Sequence, residues 1–174
     1  SGEVKSPGAY TLLKRIETLD DIIQRSGGYT DRANHDGIKM FRDDTTQIIL
    51  KNFKMPLMSG DSIFVPQHTS VVEISGEIYH PGYVQFIHGK NLEYYIESAG
   101  GYTNEADKKS IMVIYANGDV DIKRRWHKLK IGEGSHIVVQ SKKEREEFDL
   151  TEFLKEVSSI AASLATIIYI VTFN

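Results

Sequence analysis

The residues with most potential for chemistry are six histidines, His35, His68, His80, His88, His127 and His136, because the chain has no cysteine. Thiol catalysis, disulfide scaffolds, cysteine zinc sites and iron–sulfur clusters are thereby excluded. No two histidines stand at His-x-x-x-His or His-Glu-x-x-His spacing, which would set two imidazoles on one helix face for zinc. Scattered surface positions are the expectation. Gly132-Glu133-Gly134-Ser135-His136 lacks the Gly-x-Ser-x-Gly elbow of a serine nucleophile, and its counterpart Ser59-Gly60-Asp61 reads as a turn before a strand. No phosphate loop or complete Gly-x-Gly-x-x-Gly occurs. The expectation is a non-enzyme with no catalytic residue, metal or cofactor.

Binding residues are easier to find. Lys123-Arg124-Arg125-Trp126-His127-Lys128-Leu129-Lys130 holds five Lys or Arg and no acid. Arg124, Arg125, Trp126 and Lys128 suit an anionic sugar, a lipid phosphate or a partner subunit, with Trp126 stacking. The alternative is a solvated strand edge, where basic side chains discourage edge pairing. Tyr29, Tyr79, Tyr83, Tyr94, Tyr95 and Tyr102 could stack on sugars, whereas the pattern positions of Tyr95 and Tyr102 favour packing on a sheet. The charge balance is 21 − 24 = −3, which excludes a dedicated nucleic-acid binder. Apolar residues at 40% and charged residues at 26% belong to a folded chain.

These residues sit in a repeat. Ser1-Gly2-Glu3-Val4 returns as Ser75-Gly76-Glu77-Ile78, and Pro7-Gly8 as Pro81-Gly82. Leu19 to Thr30 returns as Leu92 to Thr103, and Gly60 to Val65 as Gly134 to Val139. Two units, 1–70 and 71–141, are expected. In the second, Val71 to Ile78 and Tyr83 to Ile87 read as strands joined by a turn. Leu92, Tyr95, Ile96 and Ala99 recur at helical spacing, and Gly100 closes the helix. Leu19, Ile22, Ile23 and Gly27 do the same in the first unit. Ile111 to Tyr115 and Val120 to Lys123 form a hairpin about Asn117-Gly118, and Ile137 to Val139 ends the unit. The fold class is α+β, and strand, strand, helix, strands is the order of a β-grasp. A unit of this size builds a small core, so a neighbour is expected to add burial. No secretory signal opens the chain. The first unit lacks a counterpart of Val71-Val72-Glu73-Ile74, so its opening strand is expected to be cut short and the natural protein to extend upstream.

Residues 142–174 differ in kind. After the charged run Lys142 to Glu147, apolar residues follow helical spacing, and Val157 to Phe173 carries no charge. Seventeen helical residues span roughly 26 Å, enough for a thin outer membrane. Val157, Ile160, Leu164, Ile168 and Val171 form a lipid-facing stripe. Ser159, Ser163 and Thr166 form a hydroxyl stripe facing a lumen or neighbouring helices. One helix cannot enclose water, so a lumen requires a ring of chains. The alternative is a helix packed on the preceding units.

The repeated Gly-Glu-(Val/Ile)-x-x-Pro-Gly opening, the Leu-x-x-x-Ile-x-x-(Ser/Ala)-Gly-Gly-Tyr-Thr helix end and the Gly-Asp-Ser-Ile-Phe-Val-Pro close resemble the SLBB family, the soluble-ligand-binding β-grasp domain. A tandem pair followed by an amphipathic helix is similar to the back half of outer-membrane polysaccharide export proteins of the Wza type. The resemblance implies two tandem SLBB-like β-grasp domains and a C-terminal amphipathic membrane helix. It also implies a homo-oligomeric ring in the periplasm and outer membrane, through which a capsular polysaccharide or exopolysaccharide passes. An inner-membrane polysaccharide co-polymerase is an implied partner. The upstream export domain and acylated N-terminal cysteine of that family are absent here, and Ser135 and Gln140 replace the counterparts of Asp61 and Pro66. The competing readings are a periplasmic saccharide- or small-ligand-binding module with a simple C-terminal anchor, and a structural adaptor between envelope proteins.

Overall fold

The computed structural model describes residues 1–43, 45–124 and 128–142. The sequence periodicities become two open sheets and two short helices, an α+β fold. Helix α1 (Leu19–Arg25) starts at Thr18, whose hydroxyl accepts from the Asp21 amide while the Asp21 carboxylate accepts from the Thr18 amide, a reciprocal capping box. Helix α2 (Leu92–Ser98) starts at Asn91, whose side chain accepts from the Tyr94 amide. Each helix buries one face: Leu19, Ile22 and Ile23 in α1, and Leu92, Tyr95 and Ile96 in α2.

The first sheet has order β2-β1-β3, built from β1 (Lys39–Arg42), β2 (Thr46–Ile48) and β3 (Ser62–Phe64), all antiparallel. Gly2 extends it by a parallel bridge to Val65. The second sheet contains β4 (Val71–Gly76), β5 (Gly82–Gln85), β6 (Ala106–Ile114), β7 (Val120–Ile122) and β8 (His136–Ser141), ordered β5-β4-β8-β6-β7. Here β4 and β8, the outermost of the five in chain order, are parallel neighbours at the centre. Alternation along β4 buries Val72 and Ile74 completely.

The sheets cover separate cores. One gathers Leu19, Ile38, Met40 and Val65, the other Ile74, Tyr95, Ile96, Ile111 and Ile137. Tyr95 is fully buried, and its hydroxyl both donates to the Ile87 carbonyl and accepts from the Ile87 amide. The same main-chain bonds recur about each core. Glu3 N–H donates to Val65 O at 2.8 Å and Glu77 N–H to Val139 O at 2.9 Å. Ser6 N–H donates to Ser26 O and His80 N–H to Ala99 O, both at 2.9 Å. The Thr30 and Thr103 hydroxyls donate to Glu3 and Glu77. Gly76 has φ +83°, and a Cβ there would lie 2.0 Å from Val139 O; at Gly2 it would lie 2.1 Å from Val65 O. The Gly-Glu opening is therefore a close-approach requirement of the central strand crossing.

Among the described residues no helix is long and apolar enough to cross a membrane. The C-terminal helix expected within 142–174, with its uncharged stretch Val157 to Phe173, lies outside the described residues, and so do its two stripes.

Candidate functional site

Between the two sheets lies a cleft of about 1050 Å³. Three of the six histidines meet there. His35 comes from the loop before β1, His68 from the connection into β4, and His88 from the loop after β5. Surface placement holds for His35, His68, His80 and His88, whereas His136 is half-buried and His127 lies outside the described residues. His136 pairs with the Ser75 hydroxyl at 2.7 Å, and burial lowers its pKa against the opposing charge of Glu73. Among the described residues no group of three or more His, Cys, Asp or Glu is placed to hold a metal ion.

The cleft walls are tied together by side chains from both halves. Glu133, in the turn before β8, accepts from the Ser70 amide and pairs with His68 Nδ1, each at 2.6 Å. Burial acts to raise the Glu133 carboxyl, but the Ser70 amide, His68 and the Thr69 amide outweigh it and hold the pKa below its usual value. Gln47 donates to the Asn117 carbonyl at 2.7 Å, and Lys51 pairs with Asp119. Gly37 lets the halves approach, since a Cβ there would lie 2.7 Å from Pro66 and 3.1 Å from Ala116.

The lining chemistry is mixed. Asn34 is buried, and its side-chain oxygen accepts from the Asp36 amide. Tyr115 reaches in from the end of β6, and burial, then the charges of Asp121 and Asp119, raise its phenol pKa. It therefore stays protonated near neutral pH and can donate. Carboxylates at Asp31, Asp36, Asp119, Asp121 and Glu133 outnumber Lys130 as permanent charges. This cleft suits a hydroxyl-rich, uncharged or cationic ligand better than a polyanion: aromatic edges at Phe86 and Tyr115 offer stacking, and carboxylates accept from hydroxyls.

Of the basic strip, Arg124 and Lys128 are exposed, while Arg125 and Trp126 lie outside the described residues. Tyr79 and Tyr83 are exposed, at 56% and 62%, and lie away from the cleft lining. Tyr29 is not among the cleft-lining residues, and the centroid of its ring lies 4.0 Å from that of His35.

The SLBB domain profile matches residues 1–51 and 71–120. This chain belongs to the SLBB family. The two SLBB matches contain most of the cleft lining, and they carry α1 and α2 with the glycine turns that follow. Similar proteins include two forms of polysialic acid transport protein KpsD from Escherichia coli. One is 34% identical over 109 residues, the other 33% over 115, each match covering 63% of this chain and 19% of the relative. The chain thus spans about a fifth of the length of these relatives.

Sequence reasoning did not find the residues that join the halves. The signal was available in the differences between the copies. Glu133 stands where the first copy has Ser59, and Asp119 where it has Thr46. A repeat keeps what its own fold needs, and changes where one copy must grip the other.

Proposed function

We propose that this chain is part of a polysaccharide-export protein of the outer membrane, acting as a non-catalytic ring component. In this reading 1–70 and 71–141 are tandem SLBB-like β-grasp domains, and 142–174 form a charged collar and a membrane helix. The parallel central strands and the recurring bonds about each core support the domain assignment. The observation that carries the function is the similarity to the polysialic acid transport protein, at 34% identity over 63% of the chain. The bulk of the chain lies in the periplasm, the polymer passes through the ring, and an inner-membrane co-polymerase delivers it. Ser159, Ser163 and Thr166 line the lumen; Val157, Ile160, Leu164, Ile168 and Val171 face lipid.

The test has two arms in cells carrying the full-length gene. Removing the gene should trap polysaccharide inside the envelope and clear it from the surface; normal surface polymer would refute export. Single substitutions Ser159→Cys, Ser163→Cys and Thr166→Cys should react with a small water-soluble thiol reagent, and Leu164→Cys, Ile168→Cys and Val171→Cys should not. Equal labelling of both stripes would refute the lumen.

The cleft favours a second reading, a saccharide-binding module with a C-terminal anchor. Calorimetric titration with neutral and sialylated oligosaccharides separates the two. Binding that is abolished by Tyr115→Phe, with normal export in cells, would favour the module.

A further inference from the structure

The two copies differ in the loop that leads into their helices. Pro7 and Leu19 stand 12 positions apart, whereas their counterparts Pro81 and Leu92 stand 11 apart. The longer loop reads Leu13-Lys14-Arg15-Ile16-Glu17, where the second copy has Ile87-His88-Gly89-Lys90. Leu13 is 70% exposed and Ile16 is 66% exposed, more than any other large apolar residue among those described. One such side chain in water is ordinary; two on one turn, beside cations, form a patch.

The exposure is built in. Glu17 is buried, although it is a carboxylate. Its Oε2 accepts from the Leu13 amide at 2.8 Å, and its Oε1 accepts from the Arg25 guanidinium at 2.7 Å. Arg25 also donates to the Thr11 carbonyl at 3.0 Å. The Leu57 amide donates to the Glu17 carbonyl at 2.8 Å, which sets Met58, 58% exposed, beside the base of the loop. A turn closed on these charge-assisted bonds keeps its ends in and its tip out. Burying a carboxylate is a costly way to make a mere connection.

The tip is cationic. Lys14 reaches Asp21 at 3.4 Å, yet its side chain stays 67% exposed. Arg15 is exposed and pairs with no described residue. Lys54 is exposed two residues before Pro56, which bridges to Thr18. Against these three cations stands Asp20, on the first turn of α1. A protein partner of standard size would cover about 800 Å² on each side, far more than three apolar side chains offer. An anionic bilayer asks for less: apolar tips enter below the headgroups while the cations stay among the phosphates.

We propose that the loop 13–17 docks this chain on an anionic lipid surface, with Leu13 and Ile16 inserted and Lys14 and Arg15 at the phosphates. The docking rests neither on the export reading nor on residues 142–174. The chain has no cysteine, so a single introduced one can carry a reporter. Ile16→Cys and, as a control, Lys109→Cys on β6 are each labelled with an environment-sensitive fluorophore, whose apolar bulk replaces that of the isoleucine. Each is mixed with vesicles of phosphatidylcholine alone or with about one-third phosphatidylglycerol. Emission at 16 should shift to the blue and be quenched by spin-labelled lipid on the anionic vesicles only, and the label at 109 should not respond. Lys14→Glu with Arg15→Glu should raise the lipid concentration for half-response about tenfold or more, since each cation at such a surface contributes about fivefold. Leu13→Asp should weaken the response as well, with circular dichroism reporting a folded chain in every case. Because the reporter sits on the loop, attachment through another segment alone leaves it dark. A dark label at 16, an equal response on neutral vesicles, or a response indifferent to both sets of substitutions would overturn the proposal.

Discussion

Tyr29 and Tyr102 occupy the same place in the two copies and should respond oppositely to loss of their hydroxyls. The Tyr102 hydroxyl donates to the Glu93 carboxylate, at 3.2 and 3.3 Å to its two oxygens. The equivalent acid in the first copy is Asp20, one methylene shorter. The Tyr29 hydroxyl is the buried side-chain polar atom left without a hydrogen-bond partner among the described residues. An orphaned buried hydroxyl costs about 1–3 kcal/mol, so Tyr29→Phe should stabilise the chain by about 1 kcal/mol. Tyr102→Phe removes a bond to a charged acceptor that is half-exposed, and should destabilise by about 1 kcal/mol. In a chain of this length each change moves Tm by about 2–4 °C, in opposite directions. Asp20→Glu should supply the missing acceptor and raise Tm in the Tyr29 background but not in Tyr29→Phe. The assay is thermal and urea denaturation of all four variants, followed by circular dichroism. Equal destabilisation by the two Tyr→Phe changes would mean that Tyr29 has a partner, and would refute the reasoning.

Gly76→Ala should destabilise by at least about 2 kcal/mol, since it meets both a left-handed backbone and the Val139 carbonyl; a urea midpoint within error of the parent would contradict this. His136 is held neutral by burial, so its folded pKa lies below the unfolded value of about 6.5. Its contribution to stability is complete above about pH 6.5 and is lost as pH falls toward the folded value, because the unfolded chain then binds more protons. His136→Gln should flatten that part of the stability–pH curve. Glu133→Ala should leave the Ser70 amide and His68 without their partner and speed proteolytic cleavage between Pro66 and Val71, read by mass spectrometry of the fragments.

Much of the fold was legible because its determinants are local. The spacing of Leu19, Ile22 and Ile23 and of Leu92, Tyr95 and Ile96 announces the helices, the glycine pairs after α1 and α2 announce the stops, and Asn117-Gly118 announces a hairpin. The β-branched run Val71 to Ile78 reads as a strand, and β4 follows it as far as Gly76. The cleft was not legible. His35, His68 and His88 are separated by 33 and 20 residues, and no periodicity brings them together. Their meeting depends on how two separate cores abut, which is set by long-range pairs such as Glu133 with Ser70 and Gln47 with Asn117. Such pairs involve exposed polar side chains, whose types alone carry no signal of a partner. Residues 50–61 were equally opaque: they form no strand or helix, yet Leu50 and Leu57 are carried into the first core.

The parallel crossing of β4 and β8 also decides how the chain bears load. Tension that enters at Val71 and leaves at Ser141 pulls these two neighbours in opposite directions along their own axes. The bonds from Glu73 N–H to Ser135 O and from Glu77 N–H to Val139 O, with those of the ladder between them, are strained together rather than one after another. Peeling would break them singly, whereas shear must break the set at once. Resistance to pulling is governed by the rate of unfolding rather than by equilibrium stability. A unit with a modest core can thus be mechanically stiff in the direction of its own ends, as a tether under repeated tugging must be.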